Sequence, residues 1–277
     1  MDTILVAIDF SEPSINALNY ASHLASYFGA KLIVLHSYSP PLNTYETAYL
    51  DQAFFQVKEE TEKLLKGKKE ELQKDFPNLE VETSLSLGFA YDNIRTAVKE
   101  KDVDLLVLGI TGSGGFIKKK IIGSTTVKAA KRLDIPLVIV PENATYKPIK
   151  KIAYACDYLD EKAVRSLMVQ VKLYAALFHA EVQMLNVISE TLEAEKAWKS
   201  SETKHFVETK LSKVGHSYFT VKSPHVIEGI QEYLKEEDSD LLVMNPLHHG
   251  IFYWILHEEV TPEIAFTSPI PILILHQ

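Results

Sequence analysis

Cysteine is all but missing from this chain of 277 residues, where Cys156 stands alone. A single thiol cannot close an internal disulfide, which agrees with a reducing compartment. No apolar run approaches the length of a membrane span, and the opening MDTILVAID enters a strand pattern with no basic leader or cleavage site. The expectation is a cytoplasmic protein. Positive charge is not in excess either: the net charge of −8 argues against a sequence-independent grip on DNA or RNA, which needs a basic field. Neither G-x4-G-K-[ST] nor G-x-G-x-x-G occurs, so the P-loop and dinucleotide fingerprints do not apply. No His-x3-His pair occurs, and adjacent histidines such as His248 and His249 seldom converge on one centre. His248, His249 and His257 therefore read as exposed loop histidines and not, with Glu258 and Glu259, as a metal site.

What is present is a repeating α/β pattern. Residues Thr3 to Ile8 form a buried strand ending at Asp9; Ser11, Glu12 and Pro13 open a helix with Ile15, Leu18, Ala21, Ala25 and Phe28 on one face, and Gly29 closes it. Lys31 to His36 is a second strand. A charged helix follows, its apolar positions Phe54, Val57, Leu64, Leu65 and Leu72 recurring at helical spacing. Val81 to Leu87 makes a third strand, Gly88 leads into a helix with Ile94, Ala97 and Val98, and Leu105 to Leu108 makes a fourth. A glycine-rich loop from Gly109 to Gly115, three lysines, a Gly-Ser-Thr step, a helix and the run Leu137 to Val140 complete the unit. Right-handed crossovers fold such a string into a twisted parallel sheet with helices on both faces.

After Pro141 the polar segment ENATYKPIK lacks periodicity and reads as a linker, and then the pattern begins again. KKIAYACDYLD repeats the first strand with Asp157 in the place of Asp9, DSDLLVMN repeats DVDLLVLG, and SPIPILILHQ repeats DIPLVIVP with Pro271 standing 135 residues after Pro136. The chain is thus an α/β protein of two repeated, doubly wound, mainly parallel five-stranded domains, residues 1–143 and 148–277.

The loop after the fourth strand has the physical requirements of a phosphate cradle. Gly109, Gly112, Gly114 and Gly115 permit close backbone approach; Gly123, Ser124 and Thr125 begin a helix with hydroxyls ready to donate; and Lys118, Lys119 and Lys120 carry neutralising charge. The same residues also suit an ordinary connection with a helix cap, and three adjacent lysines usually point into water. Asp9 and Asp157 each suit a helix cap as well. Cys156, at the end of a buried strand, reads as an inert thiol more readily than as a nucleophile.

Taken together, ILVAIDFSEPS, LIVLHS, DLLVLG before a glycine loop, GSTT and IPLVIVP resemble the universal stress protein family, and the duplicated layout resembles its tandem members. That resemblance covers essentially the whole chain. It implies an adenine nucleotide hydrolase-like α/β sandwich, binding of ATP or a related adenine nucleotide in some members, regulatory roles in the stress response, and pairing of domains through their last strands. By the same resemblance Asp9 contacts the adenosine part, Ser37 lines the adenine pocket where an apolar residue such as valine is usual, and Gly109, Gly112, Gly123, Ser124 and Thr125 hold phosphates. The family loop is G-x2-G-x9-G-[S/T], whereas ten residues, Ser113 to Ile122, separate Gly112 from Gly123 here. The flexible glycines either absorb the extra residue as a bulge or lose the cradle through it.

In the second half Glu258 and Glu259 fall where Gly123 and Ser124 stand, and carboxylates there repel phosphate. That half is expected to be a degenerate copy, with Phe252, Tyr253 and Trp254 as packing residues. The alternatives are a nucleotide-free dimerisation scaffold and a slow ATPase. Terminal strands with a free edge would favour a homodimer, and pairing of the halves within one chain is the other arrangement.

Overall fold

Strands and helices in this chain follow from where its apolar residues fall. The computed structural model describes residues 1–39, 47–110, 124–156, 161–188, 202–244 and 268–276. Packing divides the chain into two compact units, Met1–Gly109 and Ile110–Gln277.

The first unit runs β1 (Thr3–Ile8), α1 (Glu12–Phe28), β2 (Lys31–Tyr38), α2 (Thr47–Asp75), β3 (Val81–Leu87), α3 (Ala90–Glu100) and β4 (Leu105–Ile110). Its strands lie in the order β3-β2-β1-β4, all parallel. The central pair explains itself: Ile4, Leu5 and Val6 of β1 and Leu105, Leu106 and Val107 of β4 are buried on both faces, as parallel strands under helices must be. Helix α1 follows Ser11, carries Pro13 in its first turn and ends at Gly29 in the left-handed region, φ 65°. Leu18, Ala21 and Ala25 are buried as the spacing requires, joined by Ala17 and Leu24. Helix α2 differs from the expectation at Leu64, which is 57% exposed, while Leu65 and Leu72 are buried. Adjacent leucines point 100° apart on a helix, so only one can face the sheet. The side chain of Phe54 lies outside the described residues.

The second unit contains α4 (Ser124–Arg132), β5 (Leu137–Pro141), β6 (Lys151–Ala155), α5 (Glu161–Phe178), β7 (Glu181–Ile188), α6 (Glu202–Lys210), β8 (His216–Lys222), α7 (Val226–Glu236), β9 (Leu241–Met244) and β10 (Ile272–Ile274). Here the order is β5-β10-β9-β6-β7-β8, parallel except where β10 meets β5. The strand neighbours of the first unit recur: β7 lies beside β6 and β6 beside β9, as β2 lies beside β1 and β1 beside β4. The α/β class with two repeated, mainly parallel layers is therefore borne out.

One pairing joins the ends of the two sequence repeats. Strand β10 runs antiparallel to β5, with Ile272 opposite Ile139 and Ile274 opposite Leu137. Being paired with β9 on its other side, β10 has no open edge, contrary to the expectation of a free terminal strand. Gln170 Nε2 donates to the His276 carbonyl at 2.6 Å, and His276 Nε2 is 2.9 Å from the Ala130 carbonyl in the last turn of α4. The segment read as a linker, residues 142–150, holds no regular element but is anchored: Ala144 and Ile149 are buried, and Lys147 pairs with Asp240 at 2.8 Å.

Candidate functional site

In an open parallel sheet the strand order reverses at one point, and the crevice beyond the carboxyl ends of the two strands there is where ligands bind. In the first unit that point lies between β1 and β4, since the chain winds from β1 outward to β2 and β3 and then returns to the far side of β1. Asp9 follows β1, Gly109 is the penultimate residue of β4, and Ser37 stands beside Asp9 near the end of β2, one step beyond the Ile8–His36 pair. Three residues singled out in the sequence are thereby brought to one edge.

Asp9 is held by the turn into α1. The Ser11 N–H donates to Asp9 Oδ1 at 3.0 Å and the Ser11 hydroxyl donates to the same oxygen. The Asp9 N–H donates to Ser14 Oγ at 3.2 Å, and the Ser14 hydroxyl donates to the Ser11 carbonyl at 2.9 Å. Asp9 thus opens an Asx turn two residues before the helix cap, and Ser11, the cap residue, spends its hydroxyl on Asp9 and not on the helix. Partial burial works to raise the Asp9 carboxyl, but the bonds from Ser11, with Ser14 close by, outweigh it and hold the group below the ordinary carboxylate value. It is a fixed anion at neutral pH. Both direct bonds go to Oδ1, so Oδ2 keeps acceptor capacity for a ligand donor.

Between Asp9 and Ser11, Phe10 adopts φ 64°, a conformation uncommon for a bulky side chain and costing about 1–3 kcal/mol. It packs on His36, ring centroids 4.8 Å apart, and His36 Nδ1 lies 2.8 Å from the Ile8 carbonyl. Nothing in the sequence pattern pointed to this strained residue.

Gly109 is placed differently from the expectation. It lies inside β4 and not in the loop after it, because the strand continues to Ile110. A Cβ there would come 2.3 Å from the Pro13 carbonyl oxygen and 2.7 Å from its carbon. The first turn of α1 crosses the strand so closely that no other side chain fits. Close approach of backbone to backbone, within the protein itself, is sufficient reason for this glycine.

Ser37 is bound by a residue that the sequence reading passed over. Asn93 Nδ2 donates to Ser37 Oγ at 3.0 Å and faces the carbonyls of Ser86 and Leu87 at 3.4 and 3.3 Å. Its only signal in the sequence was a position in the first turn after Gly88, which adopts φ 115°. Ser124 begins α4 as expected, and Thr125 is half-buried in its first turn; both belong to the second compact unit. Gly112 and Gly123 lie outside the described residues, as do Lys118 to Lys120, Asp157, the histidines His248, His249 and His257, the aromatic set Phe252 to Trp254, and Glu258 and Glu259. Cys156 is half-buried, and its N–H donates to the Leu185 carbonyl at 3.0 Å, extending the ladder beyond β6.

The profile of the universal stress protein family matches residues 1–141. The chain belongs to the universal stress protein family. A universal stress protein of Bacillus subtilis, YxiE, is 32% identical over 146 residues, which is 50% of this chain and 97% of that protein. Over 99% of this chain and 98% of the other, the fold is that of a universal stress protein from Archaeoglobus fulgidus, with a TM-score of 0.73 at 15% identity. A functionally unknown protein from Pseudomonas aeruginosa PAO1 covers 100% of this universal stress protein chain with 92% of its own, at a TM-score of 0.58 and 14% identity. The sequence match lies in the first repeat; the likeness over the whole chain is one of fold. Among the described residues no helix is long and apolar enough to cross a membrane.

Proposed function

We propose that the first repeat binds an adenine nucleotide, ATP or a related one, and that the second is a structural copy without that ligand. The observation that carries this reading is the Asp9 carboxylate, held ionised at the switch point between β1 and β4 with acceptor capacity left on Oδ2. A ribose presents hydroxyl donors of the kind such an oxygen accepts. The role is regulatory and cytoplasmic, in the stress response: ligand occupancy sets a conformation or an association state. A regulatory reading is favoured over hydrolysis by His36, whose Nδ1 is engaged with the Ile8 carbonyl and whose ring is packed on Phe10. Pairing of the two last strands within one chain, supported by the β5–β10 register, replaces a homodimer through β10.

Titration calorimetry with ATP, on wild type and Asp9→Asn, tests the reading. Asparagine keeps an oxygen for the Ser11 turn but loses the charge, so ATP affinity should fall by about tenfold to a hundredfold. Unchanged affinity would remove Asp9 from the site. A second reading, a scaffold that binds no nucleotide, draws on the packing of Gly109 against Pro13, which accounts for that glycine without any ligand. It requires that ATP leave the thermal midpoint where it is, whereas a ligand of the native state raises it by mass action.

A further inference from the structure

Both repeats keep a helix after their first strand, but not the same outer face on it. In α1 the Gly29 N–H donates to the Ser26 carbonyl and the Ala30 N–H to that of Ala25; in α5 the His179 N–H donates to the Ala176 carbonyl and the Ala180 N–H to that of Ala175. Gly29 and His179 both adopt left-handed backbone, φ 65° and 52°. These matching ends lay residue 29 on residue 179, an offset of 150. The same offset sets Ser37 on Val187, and Asn93 and Gly229 are each the fourth residue of α3 and α7. On the inner side Leu18, Ala21 and Leu24 of α1 fall on Met168, Val171 and Tyr174 of α5, all of them buried. On the outer side Asn16, Asn19, His23 and Ser26 fall on Ser166, Val169, Leu173 and Ala176. The fold needs no apolar residue at these outer positions, since the first repeat does without.

Val169 is 59% exposed and Leu173 55%, with Ser166 and Ala176 exposed beside them. Single exposed apolar residues are ordinary, but these four stand three, four and three positions apart, the spacing that keeps a seam straight along a helix. The stripe also reads alike from both ends. Val169 and Leu173 lie two residues either side of Val171, and Ser166 and Ala176 lie five residues either side. A two-fold contact requires that residue i meet j and j meet i. Antiparallel packing of α5 on its own copy does this, with Val169 against the partner's Leu173 and Ser166 against the partner's Ala176, large on large and small on small. Charge agrees with that direction. Helix α5 has no basic residue in its last turn, and Lys162, exposed one turn ahead of Ser166, is brought to the carboxyl end of the partner helix, where a cation is favoured.

We infer that the outer face of α5 is an interaction surface and that its occupant is a second copy of this chain, packed antiparallel about a two-fold axis at Val171. From Ser166 to Ala176 the seam is about 15 Å long. That falls short of the about 800 Å² per partner found in stable complexes, so the contact is a weak one, with a Kd on the order of 100 μM. It is separate from the β5–β10 seam, which pairs two strands of one chain, and it stands whether or not the first repeat binds a nucleotide.

Sedimentation equilibrium of the full chain tests the surface. Wild type should pass from monomer to dimer as its concentration rises through that range. The double change Val169→Asn with Leu173→His, which copies Asn19 and His23 of the first repeat, should weaken the dimer by about tenfold or more. Lys162→Ala should weaken it by about threefold, and it carries the test alone should the double variant fail to fold by circular dichroism. A dimer that neither change weakens overturns the proposal, because its interface then lies elsewhere. Wild type that stays monomeric at about ten times the expected Kd overturns it as well. In that event the rate at which a Leu173→Cys thiol takes up a soluble maleimide tells a stripe covered by the chain itself, which reacts slowly, from one left to a different protein, which reacts fast; either result stands against a second copy.

Discussion

In the first repeat Asp104 Oδ2 accepts the N–H groups of Asp2 and Thr3, at 2.6 and 3.0 Å; in the second, Asp240 Oδ2 accepts those of Lys150 and Lys151, at 2.8 and 2.9 Å. The reciprocal bonds match too, from the Asp104 N–H to the Thr3 carbonyl and from the Asp240 N–H to the Lys151 carbonyl. One aspartate, just before the fourth strand of each repeat, pins the start of the first strand in both. The environments differ. Asp104 is exposed, whereas Asp240 is 8% exposed and carries Lys147 on its other oxygen. At the carboxyl ends the likeness stops, since Ser37 and Asn93 are matched by Val187 and Gly229. The amino edge of the sheet has one task, to close the strand ladder, and both repeats keep the same device for it. The carboxyl edge is free of that task, and there the repeats diverge.

The largest disturbance should come from Gly109→Ala, which sets a methyl against the Pro13 backbone at a distance no real contact tolerates. Backbone cannot swing aside as a side chain can, so the loss should reach about 3 kcal/mol in a urea melt. A loss well under that would mean that α1 shifts freely over β4, and the packing account of this glycine would fail. Asp240→Asn comes next, at about 2 kcal/mol, because the amide can still accept from the two N–H groups but meets the Lys147 ammonium with a donor of its own. Asp104→Asn should cost below about 1 kcal/mol, since water replaces what the carboxylate loses at an exposed site. Equal costs for the two would show that burial does not separate these twins.

The pH dependence sharpens the same pair. Burial works to raise the Asp240 carboxyl, but Lys147 and the N–H groups of Lys150 and Lys151 outweigh it and leave the group below its ordinary value. A carboxylate depressed in the folded state adds stability above its unfolded value, about 3.9, and that contribution is lost as pH falls through the lower folded value. Acid melts should therefore lose stability below about pH 4, with a shallower slope in Asp240→Asn than in wild type. Parallel slopes would place the acid sensitivity elsewhere.

Much of the fold was legible because parallel strands buried on both faces read as unbroken apolar runs. Thr3 to Ile8 and Leu137 to Val140 form as their sequences indicate, and Gly29 ends α1 where a left-handed residue is needed. The ends were harder. Strand β2 continues to Tyr38, beyond the apolar run, because its pairing with β3 extends to Leu87. Gly109 belongs to β4, although glycine next to more glycine reads as loop; the continuation of the strand to Ile110 and the crossing of α1 decide that, not composition. At the candidate site Asp9 could be named from its place after a strand, whereas Asn93 could not. Its partners Ser37 and Ser86 are 56 and 7 residues away, and an amide bonded across strands leaves no periodic trace.

The order of strands and helices, the duplication and the family are set by the sequence alone, because they depend on local apolar periodicity and on runs of residues that recur in one chain. Which residues meet depends on the crossing of α1 over β4, on the register of β2 with β3, and on the antiparallel seam of β5 with β10. Those are decided only in three dimensions, where steric exclusion at a single Cβ and the geometry of single hydrogen bonds select among arrangements that the apolar pattern treats alike.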